Sequence, residues 1–482
     1  MKKKSIAVNF MMNAILTMSN FIFPLISFPY VSRILLPEGT GKINVATSFV
    51  TYFVMFAQLG IPTYGVRACA KVRDDKEKLS RTVHELLFIS LITTAVSYAA
   101  FLWCLFNVKK VSNERDLYIV ISFMIILTTI CVEWLYKALE QYTYITIRSI
   151  FFKMISLIFM FVLVHEKSDY VIYGGITIFA SSASYILNLI NARKYISFKY
   201  IGNYNITQHL KPVLVFFAMS CATTIYTNID NVMLGFIAGD VEAGYYGAAV
   251  KVKNILVSVV TSLGTVLLPR CSYYVSNGMM DEFKDICSKA INFVVLIALP
   301  LVVYFIMFSN TSIVFLSGSL YEPATLPMQI IMPTVLLIGL TNILGIQILI
   351  PLGKENRVLI SEIVGAVIDV VVNLILINHL RSAGVAIGTL CAETGVLIVQ
   401  YIATRDLVRP FFLKIKYYKY IMALLPACII AHLLSTVVSS LFITLFVTAC
   451  GFFGIYFIVL IIIKEEMINQ TIKLALSKFS TK

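Results

Sequence analysis

Apolar runs of about 20 residues recur along the whole chain, and each is long enough to cross a lipid bilayer as an α-helix. Of the 482 residues, 59% are hydrophobic and only 13% are charged. A soluble protein of this length needs far more polar surface to cover its core. Membrane β-strands alternate polar and apolar residues, and these runs do not. The sequence therefore predicts an all-α polytopic membrane protein.

The apolar runs predict about 14 transmembrane helices. The first run is too long for a signal peptide, and no small-residue cleavage site follows it, so we interpret it as a helix. No segment between the runs is large enough for a globular domain. The predicted spans are residues 8–32, 43–64, 84–107, 116–137, 143–164, 170–192, 213–236, 245–268, 289–310, 326–351, 357–378, 382–404, 418–440 and 441–463.

Lysine and arginine are concentrated in the segments on one side of the predicted membrane. The longest of these segments are residues 65–83, 193–212, 269–288 and 405–417. By the positive-inside rule, these segments and both termini lie in the cytoplasm, so we expect a protein of the cytoplasmic membrane. The net charge of +14 is explained by this orientation and by attraction to anionic membrane lipids, and it requires no nucleic-acid partner.

The two halves of the chain share an internal repeat. Segment 36–49 aligns with segment 239–252, which pairs Gly41 with Gly244. Further matches follow in the same order at nearly the same offset. Because each half holds an even number of helices, the repeats are predicted to be parallel, with an axis along the membrane normal. Parallel repeats that flank a central space are typical of transporters.

The repeat predicts two six-helix lobes and two additional helices at the C-terminal end. Helices 13 and 14 have no counterpart in the first half of the chain. The predicted organisation is a first lobe (1–195), a cytoplasmic linker (196–212), a second lobe (213–404), a basic cytoplasmic loop (405–417), helices 13 and 14 (418–463) and a cytoplasmic tail (464–482).

Three of the basic residues within or next to predicted spans are candidate site residues. Arg33 follows a first helix that we expect to be interrupted by prolines, Lys153 lies near the middle of helix 5, and Lys251 lies about six residues inside helix 8. An ionised group in a span is costly and usually has a partner or a function. Each residue is interpreted either as a structural or snorkelling cation or as a cavity-lining cation for an anionic ligand.

Four of the acidic residues within predicted spans are further candidate site residues. Asp230, near the outer end of helix 7, is expected to form an ion pair with Lys251 or to act in gating. Glu362 and Asp369 share one face of helix 11, and Glu362 matches Lys153 in the repeat, so a bridge between the halves is one interpretation. Glu393, in helix 12, has no lysine or arginine within one helical turn in the sequence. All four are candidates for gating or for binding a coupled ion.

Sequence motifs of enzymes are not found. The chain has no GxxxxGK[ST] nucleotide-binding loop, no metal-ligand cluster and no Gly-x-Ser-x-Gly motif. We therefore expect a transporter without a cofactor, driven by the substrate gradient or by coupled H+ or Na+. Glu133 and Lys137 are interpreted as an ordinary structural pair of one helix.

Five stretches resemble the bacterial Wzx-type flippases for O-antigen, capsule and exopolysaccharide repeat units. These flippases belong to a superfamily with the MATE drug antiporters and the lipid II flippases, and the resemblance covers essentially all of the predicted helices. The block of Asp230, Gly244, Tyr245 and Lys251 is the most specific, whereas Ala138 replaces the usual glycine of the family. The stretches are FPYVSRILLPEGTGKINVATSF (28–49), GIPTYGVRACAK (60–71), EWLYKALEQYTYITIRSIFFK (133–153), NIDNVMLGFIAGDVEAGYYGAAVKVKN (228–254) and LLPRCSYYVS (267–276).

The resemblance implies translocation of an undecaprenyl-diphosphate-linked oligosaccharide from the inner to the outer leaflet by alternating access of two lobes. On this basis Arg33 is the first candidate to hold the diphosphate, followed by Lys153 and Lys251, because guanidinium and ammonium groups bind phosphate oxygens. Asp230 and Glu393 are candidates for gating or ion coupling. Helices 13 and 14 are expected to hold the isoprenoid tail. The expected partners are membrane lipids and the polysaccharide polymerase and chain-length machinery.

Three other functions remain open. A lipid II flippase differs from an oligosaccharide flippase only in its substrate. A MATE-type antiporter of small cations would have a mainly acidic cavity, whereas the charges in these spans are mixed. A membrane polysaccharide polymerase or glycosyltransferase would carry a large outer loop with catalytic residues, and the predicted outer loops are short.

Overall fold

A computed structural model describes residues 6–438 and 440–469 of the chain, and all regular structure in these residues is helical. The predicted all-α fold is confirmed. The chain forms two compact units, Met1–Gly244 and Tyr245–Lys482. Residues 470–482 of the predicted tail 464–482 lie outside the described residues.

The described residues of the first unit form ten α-helices, and π-helical turns follow α8 and α10. The helices are α1 (Ile6–Gln58), α2 (Ile61–Val72), α3 (Lys76–Asn107), α4 (Lys109–Asn113), α5 (Arg115–Thr129), α6 (Glu133–Ala138), α7 (Tyr142–Leu163), α8 (Tyr170–Ile178), α9 (Tyr185–Ala192) and α10 (Thr207–Met233).

The second unit contains the remaining helices, although the first residues of α11 belong to the first unit. They are α11 (Asp240–Ser276), α12 (Met280–Met307), α13 (Ser309–Ser317), α14 (Thr325–Ile331), α15 (Thr334–Thr341), α16 (Glu355–Lys414), α17 (Tyr417–Val437) and α18 (Leu441–Ile462).

Long apolar helices dominate the described part of the chain. Ten of them are long and apolar enough to cross a membrane, or up to 12 if each bent pair is counted as one span. Helices α1 and α16 contain 53 and 60 residues, which exceeds the roughly 20 residues that one crossing requires. The chain is therefore a multi-pass membrane protein, and the number of 14 spans stays a prediction.

The outward faces of the helices are apolar. On α7, Ile147, Phe151 and Ile158 are each about 60% exposed. In water, such continuous apolar surfaces would drive association, whereas in a bilayer they face the lipid. This distribution agrees with the membrane location that the composition predicts.

Helix α16 consists of two antiparallel arms that reverse at Arg381, where φ is 48° and ψ is −125°. A Cβ atom on Gly388 would lie 2.0 Å from the side-chain oxygen of Asn373. In a straight helix these two residues would be roughly 22 Å apart, at 1.5 Å per residue. The arms therefore pack side by side and correspond to the predicted helices 11 and 12. The segment 405–417, predicted as a loop, is instead helical up to Lys414.

The first part of α1 runs parallel to α7. The Thr146 hydroxyl donates to the carbonyl of Met12 at 2.9 Å, and the Tyr30 hydroxyl donates to the carbonyl of Val164 at 2.9 Å. Both hydrogen bonds join residues 134 positions apart, so the two helices keep one register. Helix α1 is broken at Leu36, where φ is 58° and ψ is 179°.

A buried carboxylate on α3 holds the start of α10 within the first unit. Glu85 accepts a hydrogen bond from the backbone N–H of Asn205 at 2.6 Å, and Nε2 of His209 lies 2.7 Å from its other oxygen. The hydroxyl of Tyr64 lies 2.8 Å from Nδ1 of His209. Part of the predicted linker 196–212 is therefore fixed against α3 rather than free in solvent.

The paired glycines of the internal repeat allow two chain segments to cross closely. A Cβ atom on Gly41 would lie 1.7 Å from the carbonyl oxygen of Asp240, and one on Gly244 would lie 2.0 Å from that of Pro37. The repeat that pairs Gly41 with Gly244 also pairs Pro37 with Asp240. The two contacts are therefore reciprocal, as expected for segments related by a two-fold axis, and this reciprocity supports the internal repeat.

In the second unit, α17 and α18 form a hairpin that is hydrogen-bonded to α12. The Tyr304 hydroxyl on α12 donates to the carbonyl of Leu445 at 2.8 Å, and the Tyr456 hydroxyl on α18 donates to the carbonyl of Leu296 at 3.0 Å. Buried tyrosine hydroxyls need such partners. The two helices without a repeat counterpart are thus fixed to the second unit.

We expect Gly41→Ala and Gly244→Ala each to lower the melting temperature of the purified protein in detergent. The added methyl group would overlap a backbone carbonyl, and overpacking of this kind costs about 1–3 kcal/mol. Gly454→Ala in α18 is the matched control, because its Cβ atom would meet nothing within 4 Å. That substitution should stabilise the protein by about 1 kcal/mol. A melting temperature of Gly41→Ala equal to that of the wild type would contradict the close crossing.

Candidate functional site

A polar cavity of about 190 Å³ lies inside the first unit. It is enclosed by the ends of α1 and α5, by α6, and by residues of α2, α3 and α9. A cavity of this size holds several water molecules, since each occupies about 30 Å³ in the liquid. Its polar lining includes Gln58, Ser90, Thr129, Glu133, Lys137 and Tyr185.

The cavity lies where the apolar segment 115–138 is interrupted. Helix α5 ends at Thr129 and α6 begins at Glu133, with Val132 in the left-handed region at φ 35°. The side-chain amide of Asn188 donates to the carbonyl of Cys131 at 2.8 Å and so satisfies one backbone group freed by the break. In membrane proteins, irregular backbone is tolerated where it is buried in protein or lines a polar cavity.

One carboxylate at the cavity faces two cations. Lys137 Nζ lies 3.0 Å from one oxygen of Glu133, and Arg148 Nη2 lies 3.1 Å from the other. The side chain of Arg148 is only 4% exposed, whereas that of Lys137 is 41% exposed. The group carries a net positive charge, which favours an anionic ligand or the hydroxyl groups of a sugar.

The position of Arg148 is fixed by the α9 side of the cavity. Its guanidinium donates to the carbonyl of Ser184 at 3.4 Å and lies 5.6 Å from the ring centre of Tyr185. Cation–π contact with an aromatic ring restricts the orientation of a guanidinium. Arg148 is therefore held in place at the cavity.

Sequence reasoning missed this group. It interpreted Glu133 and Lys137 as an isolated structural pair and used Arg148 only as a marker of the repeat. The three residues meet because the short α6 and the following α7 fold back on one another. The available signal in the sequence was the arginine Arg148 inside a predicted span, together with the glutamate Glu133 near the end of the preceding span.

Lys153 lies on α7, beyond Arg148, and points to α1. Its ammonium donates to the hydroxyl of Ser19 at 2.8 Å and to the side-chain oxygen of Asn20 at 2.5 Å. Among the residues that the structure describes, no carboxylate lies within ion-pair distance of Lys153. Its charge is therefore solvated by neutral groups and is not cancelled. A bridge to Glu362 of the other unit stays a prediction.

Arg33 lies on an exposed face of α1, and its guanidinium donates to the carbonyl of Pro29. The expectation that prolines interrupt this helix before Arg33 is wrong. Helix α1 continues through Pro24 and Pro29 and is broken only at Leu36, before Pro37. Neighbouring groups can satisfy the backbone around a proline within a span, as at Pro24 and Pro29. The residues before these two prolines keep helical torsion angles, whereas Leu36, before Pro37, does not. The role of Arg33 in binding diphosphate stays a prediction.

Asp230 and Lys251 belong to different units. Asp230 is buried near the end of α10, just before the π-helical turn Leu234–Ala238. Lys251 is partly buried on α11. Their predicted pairing, and a role of Lys251 in substrate binding, stay predictions.

The two arms of α16 enclose a polar seam in the second unit. Asp369 on the first arm is 1% exposed, Glu393 on the second arm is 7% exposed, and Glu362 is partly exposed. Farther along the seam, the Gln400 side-chain amide donates to the Ser361 hydroxyl at 3.0 Å. Buried carboxylates in a span are suited to a cation or a proton, and the predicted gating role of these three residues remains to be tested.

Two helical units, a broken span and buried charges beside a polar cavity define a membrane transporter. Its fold is similar to that of the lipid II flippase MurJ in an inward closed conformation, with a TM-score of 0.72 and 15% identity over 92% of this chain and 97% of that chain. It is also similar to an inward-facing MATE family multidrug resistance transporter, with a TM-score of 0.65 and 13% identity over 84% of this chain and 99% of that chain. The predicted MATE-like fold is confirmed.

The chain belongs to the family described as “Polysaccharide biosynthesis protein”, whose model matches residues 6–275. The MatE family model matches residues 216–375. A “Putative O-antigen transporter” of Escherichia coli (strain K12) is 24% identical over 413 residues, which cover 84% of this chain and 98% of that protein. A protein of the same name from Shigella dysenteriae is 26% identical over 402 residues, which cover 83% of this chain and 98% of that protein. The expected membership among the Wzx-type flippases is confirmed.

We expect Arg148→Leu to lower the free energy of unfolding by about 1.5–3 kcal/mol, because it removes a buried hydrogen bond between charged groups while Lys137 still compensates Glu133. Lys137→Leu is the matched control and should cost less than about 1 kcal/mol, since an exposed ion pair contributes little. The double variant Glu133→Gln/Arg148→Leu should recover part of the loss. Denaturant unfolding in detergent measures all three variants. Equal losses for Arg148→Leu and Lys137→Leu would rule out the buried group.

Proposed function

We propose that this protein moves undecaprenyl-diphosphate-linked oligosaccharide repeat units from the inner to the outer leaflet of the cytoplasmic membrane. Its family membership and its similarity to proteins named as O-antigen transporters along most of the chain support this function. The distribution of basic loops supports an orientation with both termini in the cytoplasm.

The single observation that carries the proposal is the polar cavity at the break between α5 and α6, next to the net positive group of Glu133, Lys137 and Arg148. A sugar-diphosphate head group cannot cross hydrocarbon unaided, because both its charges and its hydroxyl groups would lose their hydration. Lys137, which lines the cavity, offers charge-assisted hydrogen bonds to phosphate oxygens, and the buried Arg148, on the other oxygen of Glu133, adds a second positive charge next to the cavity. The amides and hydroxyls of the lining offer partners to the sugar.

Lys153 is a second basic residue of α7 and lies on another face of the helix from Arg148, towards α1. It follows Arg148 by a rise of roughly 7.5 Å, and its described contacts are with neutral groups on α1. An ammonium that is solvated but not paired attracts an anion more strongly than one paired with a carboxylate. Lys153 is therefore proposed as a contact position for the diphosphate on the side of α7 that faces α1, separate from the cavity.

Transport is proposed to proceed by alternating access and to be driven by the substrate gradient or by coupled H+ or Na+. Asp230 and the acidic residues of α16 are the candidates for gating and for the coupled ion. A small organic cation is a poorer substrate for this site, because two cations face one carboxylate at the cavity.

We expect Lys153→Gln to slow the movement of an undecaprenyl-diphosphate oligosaccharide at least tenfold in proteoliposomes, since a lost charge-assisted hydrogen bond costs about 1.5–3 kcal/mol. Access of the oligosaccharide to an added lectin measures its movement between leaflets. Lys153→Arg should retain most of the rate, because it keeps the charge.

Lys78→Gln is the control for loss of one positive charge, since Lys78 is exposed near the start of α3 and 67% of its side chain is accessible. Its rate should equal that of the wild type. A wild-type rate for Lys153→Gln in equally folded protein would eliminate Lys153 from the substrate path.

A further inference from the structure

The hairpin formed by the end of α11 and the start of α12 contains two cysteines. Cys271 lies in the last turns of α11, and Cys287 lies in the second turn of α12. Both belong to the segment 269–288, which is predicted to lie in the cytoplasm. The transport function assigns no role to either residue.

A short turn (277–279) joins the two helices. Helix α11 ends at Ser276 and α12 begins at Met280. Within the turn, the backbone N–H of Met279 donates to the carbonyl of Tyr274 at 2.9 Å. A connection of this length makes the two helices antiparallel neighbours.

The two cysteines lie at the same level of this hairpin. Each is eight positions from Met279, which corresponds to a rise of roughly 12 Å along either helix. Cys271 and Cys287 are both 1% exposed, although the residues on either side of Cys271, Arg270 and Ser272, are exposed. Both thiols therefore lie on the inner faces of their helices.

The two thiol groups interact with each other across the hairpin. The axes of packed helices are about 8–10 Å apart, and Cα atoms lie about 2.3 Å from the axis. Cα atoms that face each other are therefore separated by roughly 3.5–5.5 Å. Disulfides join Cα atoms that are about 4.4–6.8 Å apart, so the hairpin can accept a disulfide without a large movement of either helix.

The hairpin of α17 and α18 offers a comparison. Cys428 and Cys450 also lie at equal distances from the middle of their turn. Cys450, however, is exposed, and the adjacent Gly451 packs on α17 instead, where a Cβ atom would lie 2.4 Å from Leu434. Equal level alone therefore does not bring two cysteines together, and the contact in the first hairpin depends on the faces that its cysteines occupy.

The predicted compartment favours reversible chemistry for this pair. Glutathione and thioredoxin keep most cytosolic thiols reduced, and the disulfides that do form there are usually transient and redox-sensing. Two neighbouring thiols exchange with a low-molecular-weight disulfide in either direction, according to the poise of the compartment. The pair is therefore suited to a reversible cross-link rather than a permanent one.

We propose that Cys271 and Cys287 form a redox-active dithiol, which a low-molecular-weight disulfide such as oxidised glutathione converts to an intramolecular disulfide that joins α11 to α12. One protein thiolate attacks the small disulfide, which releases one thiol and leaves a mixed disulfide. The second protein thiolate then displaces the other thiol. The protein loses two electrons and two protons, and the oxidant gains them as two S–H groups.

The tip of the hairpin gives the oxidant a route to the buried thiols. Ser276, Asn277 and Gly278 are exposed. Exposed helix ends and turns open locally at a lower free-energy cost than the core. Oxidation therefore requires opening of the hairpin tip and not unfolding of the second unit.

The test is incubation of the purified full chain, in detergent, with oxidised and reduced glutathione at defined ratios. Free thiols are then alkylated in the unfolded chain, which is digested without reductant and analysed by peptide mass spectrometry. We expect a peptide that joins Cys271 to Cys287 and that disappears on treatment with dithiothreitol. Alkylation of these two cysteines should fall at least tenfold on oxidation, whereas that of Cys69, which is buried on α2, should not change.

The single variants test the two-step exchange. Cys271→Ser and Cys287→Ser should each abolish the cross-linked peptide, and Cys287→Ser should leave glutathione bound to Cys271. Oxidation should raise the melting temperature of the wild type, because a disulfide restricts the unfolded chain, and dithiothreitol should reverse the rise. The melting temperature of Cys287→Ser should not rise on oxidation.

Cys428 and Cys450 are the matched control pair and should not be joined to each other. Absence of the peptide that joins Cys271 to Cys287 at every glutathione ratio would overturn the proposal, as would a yield no higher than that of the control pair. The main measurement uses the wild-type protein, so it does not depend on the folding of a variant. Because it measures no transport, its failure is distinguishable from failure of the flippase function.

Discussion

In a bilayer, a buried backbone group or charge needs a partner within the protein, because lipid offers none. Helices satisfy their own backbone, which explains why the described residues are so uniformly helical. The places where the helical hydrogen bonding is interrupted are therefore the informative ones. At Val132 the helix is interrupted, and the Asn188 amide supplies a replacement partner to the freed carbonyl of Cys131. The interruption opens a polar cavity where an unbroken helix would have packed against its neighbours.

Buried charged side chains also need partners within the protein. Arg148 is buried, and Glu133 supplies the carboxylate that makes its burial tolerable. Because Lys137 contacts the same carboxylate, the group as a whole remains positive. The ammonium group of Lys153 is instead stabilised by hydrogen bonds to neutral side-chain oxygens on α1. One helix, α7, thus presents two cations whose charge is incompletely cancelled, and this excess connects the packing of the first unit to the proposed recognition of a diphosphate.

The sequence alone predicted the fold class, the membrane location and the family, because these depend on local apolar runs and short motifs. It also paired Gly41 with Gly244, and the structure shows that the pairing reflects a reciprocal close contact. The group around Glu133 was missed because it depends on how α6 folds back on α7. The break in α1 was placed at the wrong prolines, since tertiary contacts decide which proline a helix in a membrane tolerates. The partners of Lys153 lie 133 and 134 positions away and carry no charge that a sequence pattern would reveal.

The central claim is that basic residues within the spans carry a diphosphate head group across the membrane. Its most direct test compares two lipids in proteoliposomes that contain the wild-type protein. One carries the oligosaccharide through a diphosphate, and the other carries the same oligosaccharide through a neutral ether link. Leaflet exchange that depends on the protein and is much faster for the diphosphate lipid is the predicted result. Equal rates for the two lipids, or no exchange beyond that of empty liposomes, would contradict the claim.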